Sequence, residues 1–238
     1  MSIIRKWCWD PLILVLKGPL FILKEWLLWT QEAFRYYQNP AFRKADLKLV
    51  ARHGLRPPTW VYLNDYTHRE PYGETPLSAY AWLLTTIPNA HNLKWVEPGC
   101  GRGRGVFWLA SHLKPEQPIP QQVTGIDLQS DFIQQARTIQ QATPTLSCHF
   151  IYGDFLNTDY QPYNIVFLYA SCTSDLSLTD LAVKLLRLTK GSWVASVSFP
   201  ITEYAIGGTF QLHEEHEISM IWGKTTVYVC KRTDFLPF

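Results

Sequence analysis

Glu97-Pro-Gly-Cys-Gly-Arg-Gly-Arg-Gly105 is the stretch that decides the fold, because four alternating glycines closely follow a carboxylate. It stands between a β-rich run at residues 94–97 and a helical pattern at residues 105–112. Glycines let a backbone turn sharply and approach a ligand closely, and the helix behind them offers free N–H groups. We therefore expect a strand and a helix joined by a ligand-binding turn at Gly99, Gly101 and Gly103.

After this stretch the chain alternates β-rich and helical runs, the pattern of a parallel sheet covered on both faces. Further strands are predicted at residues 123–127, 148–152, 164–169 and 192–199, and helices at 131–141 and 176–188. The last two β-rich runs, 210–219 and 225–230, predict an antiparallel hairpin, whereas a dinucleotide-binding domain would continue with another βαβ crossover. We therefore predict an α/β fold: a doubly wound, mostly parallel seven-stranded sheet with a C-terminal antiparallel hairpin, preceded by N-terminal helices.

Acidic residues stand at or just after the ends of three successive predicted strands, where open α/β sheets bind their ligands. Glu97 would repel a pyrophosphate but suits the ammonium group of S-adenosylmethionine (SAM). Asp127 can accept hydrogen bonds from both hydroxyls of a ribose. Asp154 can accept the adenine amino group and Phe155 can stack on the ring, although any one such acid could equally cap a helix or turn. Because Arg104 breaks the G-x-G-x-x-G spacing of dinucleotide sites, the pattern favours SAM as the cofactor.

The basic residues are concentrated at the N-terminal end of the chain. Residues 1–56 carry ten Lys and Arg against four Asp and Glu, whereas residues 57–238 carry twelve against sixteen. We divide the chain accordingly into an N-terminal helical segment, 1–56, and a catalytic domain, 57–238. The acidic domain lacks the basic stripe of a nucleic-acid groove, so no nucleic acid is expected as a partner.

The cysteine and histidine patterns bear on location and on metals. The five cysteines are scattered and form no C-x-x-C, which indicates reduced thiols and a cytoplasmic protein. His213-Glu-Glu-His216 lacks the H-E-x-x-H spacing of a metal pair. No metal site is therefore expected.

The N-terminal segment is apolar and aromatic from Leu12 to Tyr37, but charged residues interrupt it too often for a membrane-spanning helix. After Pro19 the pattern predicts a helix with a wide apolar face, and a second, short helix is expected at residues 40–52. Two interpretations of the first helix stay open. It packs on the catalytic domain or on a second subunit, or it makes peripheral contact with a membrane surface through residues 1–38.

Three of these stretches resemble the motifs of class I SAM-dependent methyltransferases. Glu97–Gly103 is similar to their first motif, and Gly125–Leu128 and Gly153–Leu156 fall where their second and third motifs belong. The resemblance covers roughly residues 72–232. It implies the seven-stranded fold, SAM as the cofactor and methyl transfer as the activity.

A narrower resemblance is to the non-SET lysine methyltransferases of the disruptor-of-telomeric-silencing type. It is carried by Tyr72-Gly-Glu-Thr75, Gly153–Leu156 and Lys190–Val194. In that family the first of these segments folds over the cofactor. The resemblance implies that Glu74 and Thr75 contact SAM, that Tyr72 lines the methyl-transfer channel, and that a protein lysine accepts the methyl group.

The stretch after the fourth predicted strand departs from that family. It reads Tyr169-Ala-Ser-Cys172 where the family carries the asparagine pair that positions the incoming lysine. Tyr169 and Ser171 are candidates for the channel beside Tyr72. We predict a SAM-dependent methyltransferase that acts on an amine, namely a protein lysine. Two alternatives stay open: a small-molecule or lipid methyltransferase docked at a membrane by its N-terminal helices, and a catalytically weak SAM-binding interaction protein.

Overall fold

A seven-stranded sheet forms the centre of the protein in the computed structural model, which describes residues 11–53, 74–169, 173–220 and 223–233. Strands β1 to β5 pair in parallel, and β7 runs antiparallel to both β5 and β6. The spatial order is β3-β2-β1-β4-β5-β7-β6, which confirms the predicted fold class. The strands are β1 (Trp95–Pro98), β2 (Val123–Asp127), β3 (Cys148–Tyr152), β4 (Ile165–Leu168), β5 (Trp193–Val197), β6 (Phe210–Met220) and β7 (Gly223–Arg232).

Six α-helices lie within the described residues: α1 (Pro11–Tyr36), α2 (Pro40–His53), α3 (Leu77–Thr86), α4 (Arg104–His112), α5 (Ser130–Gln141) and α6 (Asp175–Leu185). The predicted helices and strands of the catalytic domain agree with these bounds to within three residues at each end. Helix α3 was not predicted. Its residues are apolar on almost every side, so the sequence shows little of the polar and apolar alternation by which a surface helix is detected.

The sheet is buried on both faces. Successive side chains of a strand point to opposite faces, so neighbouring residues of one strand belong to different cores. In β1, Trp95 belongs to a core that includes residues of α2, α3, α4 and α5. The next residue, Val96, belongs to a second core that includes residues of α6. All four residues of β1 are buried, as expected for a central parallel strand.

The N-terminal helices pack on the catalytic domain. Tyr36 of α1 meets Trp108 edge-on, with ring centroids 5.6 Å apart. The side chain of Asn39 accepts hydrogen bonds from the first N–H groups of α2, which then contributes three residues to the first core: Phe42, Ala45 and Leu49. The predicted boundary near residue 56 falls outside the described residues and stays a prediction. Among the residues that are described, no helix is both long enough and apolar enough to cross a membrane.

Candidate cofactor site

The glycine turn joins β1 to α4 and packs against the end of β2. The N–H of Gly99 donates to the carbonyl of Ile126 at 2.7 Å. The backbone φ is positive at Gly99, Gly101 and Gly103 (71°, 54° and 79°), a conformation that residues with side chains rarely adopt. A Cβ at Gly103 would also collide with the ring of Phe150. The shape of the turn therefore requires glycines at alternate positions.

Glu97 is buried at the end of β1, directly before this turn. The hydroxyl of Tyr80, in α3, donates to its Oε1 at 2.7 Å. Its Oε2 is buried and has no hydrogen-bond partner among the described residues. The pKa of Glu97 rises from its ordinary 4.5 to about 8: burial raises it, the Tyr80 hydrogen bond opposes the rise, and the charges of Asp127 and Glu74 add to it. A buried carboxylate oxygen without a donor is rare, and the ammonium group of SAM would supply the donor here.

Asp127 connects the end of β2 to the glycine turn. Its Oδ2 accepts a hydrogen bond from the N–H of Gly101 at 2.7 Å, and its Oδ1 accepts one from the N–H of Gln129 at 2.8 Å. Each carboxylate oxygen can accept a second hydrogen bond, so the predicted contacts with ribose hydroxyls fit this geometry. The structure adds a role that the sequence did not indicate, since Asp127 also fixes the position of the Gly101 peptide.

Asp154 follows β3, so the three acids predicted at the cofactor lie at the ends of the neighbouring strands β1, β2 and β3. The Oδ1 of Asp154 accepts a hydrogen bond from the N–H of Leu156 at 2.8 Å and caps the short 3-10 helix Phe155–Asn157. The capping role that the sequence left open is therefore present. The contact of Asp154 with adenine and the stacking of Phe155, which is half-buried against the second core, stay predictions.

Two residues implied by the family resemblance, Glu74 and Thr75, are described. The Glu74 carboxylate pairs with the guanidinium of Arg102, which belongs to the glycine turn. Thr75 is buried directly after Glu74. Of the channel candidates, Tyr169 follows β4 and packs against the first core. Tyr72 and Ser171 lie outside the described residues, and their roles stay predictions.

A buried cluster of charges, which no local sequence pattern indicates, surrounds the first residue of α4. The Nη1 of Arg104 lies 2.9 Å from Oε2 of Glu32 in α1, and its Nε lies 3.3 Å from Oδ2 of Asp46 in α2. A third carboxylate, that of Glu74, is 3.9 Å from Nη1. Burial disfavours the charged form of Arg104, but the carboxylates outweigh that effect and raise its pKa above the ordinary value. In the sequence, Arg104 only marks a departure from a glycine motif, and its partners lie 58 and 72 residues away.

Glu32 has a second role at the start of α3. Its Oε1 accepts hydrogen bonds from the backbone N–H groups of Leu77 and Ser78. Pro76, the residue before α3, offers no side-chain cap of its own. A carboxylate at this end of a helix satisfies free N–H groups and interacts favourably with the helix dipole. Helix α1 thus ties together the starts of α3, which carries Tyr80, and of α4.

Comparison with known proteins bears on the fold and on the class of protein. Residues 89–197 match a family model described as a methyltransferase domain. A comparison with curated protein sequences finds no significant match.

The fold is similar to solved structures of low sequence identity. TrmN from Thermus thermophilus aligns at a TM-score of 0.54 and 19% identity, over 67% of this chain and 50% of TrmN, so the chain spans about half the length of that protein. An RNA methyltransferase from Salinibacter ruber, solved with S-adenosyl-L-homocysteine, aligns at 0.52 and 19% identity, over 69% and 97% of the two chains. Magnesium protoporphyrin IX methyltransferase from Synechocystis PCC 6803, solved with SAM, aligns at 0.51 and 16% identity, over 66% and 77%. At such identities the likeness shows the fold alone.

The strand order, the glycine turn and the family match lead to the same class of protein. Residues 89–197 match a methyltransferase domain, and the sheet has the strand order of the class I SAM-dependent methyltransferase fold.

Proposed function

We propose that this enzyme transfers the methyl group of SAM to an amine of a protein, namely a lysine side chain. The observation that carries the proposal is the pairing of Glu74 with Arg102 at the glycine turn. It holds the end of the segment Tyr72–Thr75 beside the cofactor turn, and that segment resembles the loop that folds over SAM in the non-SET lysine methyltransferases.

The charge of the catalytic domain supports a basic acceptor. Residues 57–238 carry sixteen acidic residues against twelve Lys and Arg. Three of the acids, Glu214, Glu215 and Glu217, are exposed on the edge strand β6, and Glu217 is paired there with Lys224. Arg102 and Arg104 are buried in pairs with carboxylates and so offer no charge to a polyanion. A lysine-rich protein segment fits this balance better than RNA, which binds basic surfaces.

The residues of the site have separate tasks in such a transfer. SAM supplies a methyl group on a positively charged sulfur, which leaves as a neutral thioether. Glu97 would hold the ammonium end of the cofactor, with Tyr80 fixing the carboxylate, and Asp127 would hold the ribose. The acceptor amine must enter without its proton and in line with the methyl group, so alignment and exclusion of water are the main contributions of the protein.

Methyl labelling tests the acceptor. The full-length protein is incubated with methyl-labelled SAM and host lysate, and the label is measured in protein, RNA and organic-extract fractions. We expect label in protein that is recovered as methyl-lysine after hydrolysis. Asp127→Ala, which loses the ribose acceptor and the bond to Gly101, is the matched control and should lose most of the labelling. Label confined to RNA or to the organic extract would overturn the proposal.

Methylation of a lipid or small molecule is the second candidate. It is favoured by large apolar side chains that α1 leaves exposed, including Leu20 and Phe34. Such a surface could keep the enzyme near an apolar substrate. Label that enters the organic extract, and depends equally on Asp127, is the result expected from this candidate.

A further inference from the structure

Helix α1 has two faces with different surroundings. At 3.6 residues per turn, Glu32 and Tyr36 lie on one side of the helix, and both contact the catalytic domain. Leu27 lies on the side of the helix roughly opposite Tyr36. Leu20 and Phe34 are seven residues before and after Leu27, so these three side chains lie within about 40° of one another around the helix axis. The contacts of Glu32 and Tyr36 therefore determine which face of α1 points to the domain, and so also which face points outward.

The outward face is apolar. Leu20, Leu23, Leu27 and Phe34, hereafter the outer stripe, are exposed by 63%, 54%, 52% and 89%. They extend over about 21 Å of helix, at 1.5 Å per residue. Single exposed apolar side chains are common on proteins, but four large ones along one face of a helix indicate a surface that another body covers.

The charges beside the outer stripe indicate what covers it. Lys24 and Arg35 are exposed next to the stripe, on the same side of the helix. Among the side chains of α1 that the structure describes, none of the exposed ones is acidic, and Glu32 points inward to Arg104. An apolar stripe bordered by cations is complementary to a lipid surface with anionic headgroups, where apolar side chains enter the acyl boundary and Lys or Arg stay with the headgroups.

We propose that α1 docks lengthwise on an anionic lipid surface through the outer stripe, with Lys24 and Arg35 at the headgroups. The catalytic domain is then held at that surface by the contacts of Glu32 and Tyr36. Docking of α1 on lipid determines where the enzyme is located and is independent of which molecule accepts the methyl group.

A second copy of the chain fits the outer stripe less well. In a coiled coil of two α1 helices, the outer stripe would occupy the apolar core positions of the heptads, but one of those positions holds Thr30. The flanking positions that pair charges between two helices would hold Lys24, Trp26 and Gln31, which give no opposite charges to match.

Vesicle binding tests the proposal with the full-length protein. The probes are vesicles of phosphatidylcholine with phosphatidylserine and vesicles of pure phosphatidylcholine, and the bound fraction is measured by co-sedimentation. We expect binding to the anionic vesicles that weakens as salt is added, and much weaker binding to the neutral ones. The double variant Leu23→Gln/Leu27→Gln should bind the anionic vesicles about tenfold to a hundredfold more weakly. Lys24→Gln/Arg35→Gln should bind them roughly tenfold more weakly.

Leu47→Gln is the matched control, because Leu47 is exposed by 51% on α2 and lies outside the stripe. It should bind vesicles as the unaltered protein does. The proposal is overturned if the unaltered protein ignores anionic vesicles, or if the outer-stripe variant and the Leu47 variant bind equally. It is also overturned if sedimentation without lipid shows a dimer that Leu23→Gln/Leu27→Gln dissociates. Each of these results leaves the labelling test of the acceptor unaffected.

Discussion

The hydroxyl of Tyr80 lies 2.7 Å from one oxygen of Glu97, while the other oxygen of that buried carboxylate has no partner among the described residues. One half of the carboxylate is therefore fixed by the protein and the other half is left for a ligand. Tyr80 comes from α3, a helix that the sequence did not reveal, and its ring is so close to Gly105 that a Cβ there would collide with it. Tyr80 is thus a positioning residue for the carboxylate that would bind SAM.

Replacing Tyr80 by Phe keeps the ring and removes the hydroxyl, which donates to Glu97 and is also hydrogen-bonded to Thr75. We expect SAM to bind about tenfold to a hundredfold more weakly, because a hydrogen bond to a charged group contributes about 1.5–3 kcal/mol. Titration calorimetry measures the change. Tyr228→Phe, on β7, is the control and should bind SAM normally. Equal affinities in the two variants would show that Tyr80 does not position Glu97.

The raised pKa of Glu97 makes SAM binding dependent on pH. Because that pKa is about 8 in the free protein, the carboxyl is mostly protonated at neutral pH. The ammonium group of SAM needs the carboxylate, so binding must release a proton. The affinity should fall as the pH falls below the pKa of Glu97, by about tenfold per pH unit near neutrality.

Calorimetry in buffers of different ionisation enthalpy measures that proton directly. Glu97→Gln has the same shape without the titrating group, so its affinity should be low and nearly independent of pH over the same range. A proton release that persists in Glu97→Gln would assign the titration to another group.

Gly103 and Gly191 provide a matched pair for the glycine turn. Both have a positive φ, 79° and 84°, but only at Gly103 would a Cβ meet a side chain, the ring of Phe150. Gly191→Ala should cost about 1–2 kcal/mol of unfolding free energy from the backbone conformation alone. Gly103→Ala should cost a further 1–3 kcal/mol, roughly, from the collision. Urea denaturation measures both, and equal losses would contradict the close packing of the turn on Phe150.

Arg104 is expected to be among the most costly residues to replace. Arg104→Ala leaves Glu32 and Asp46 buried without their cation, which should destabilise the protein by about 3–5 kcal/mol. Arg187 serves as the control because its pairing with Asp159 is exposed and spans 3.9 Å. Arg187→Ala should cost no more than about 1 kcal/mol. Similar midpoints of thermal unfolding for the two variants would contradict the structural role of Arg104.

The features that could be predicted from the sequence are those that depend on local patterns of residues. Periodicity and residues adjacent in the chain predict the sheet, its terminal hairpin, the glycine turn and the acids at or just after the ends of β1, β2 and β3. The sequence did not predict α3, whose apolar residues lack a helical contrast of polar and apolar faces. Nor did it predict the partners of Arg104, since Glu32 and Asp46 are far away in the chain and look like ordinary surface acids. The role of Asp154 could not be decided from the sequence, because a carboxylate that caps a helix and one that binds adenine both occur directly after a strand.

Because Glu32, Asp46 and Glu74 cluster around Arg104, the N-terminal helices cannot be removed without destabilising the catalytic domain. The charge distribution of the chain divides it into an N-terminal segment, 1–56, and a catalytic domain, but removing that segment would strip two of three carboxylates from a buried guanidinium and uncap α3. The N-terminal helices and the methyltransferase sheet should therefore unfold in one cooperative transition.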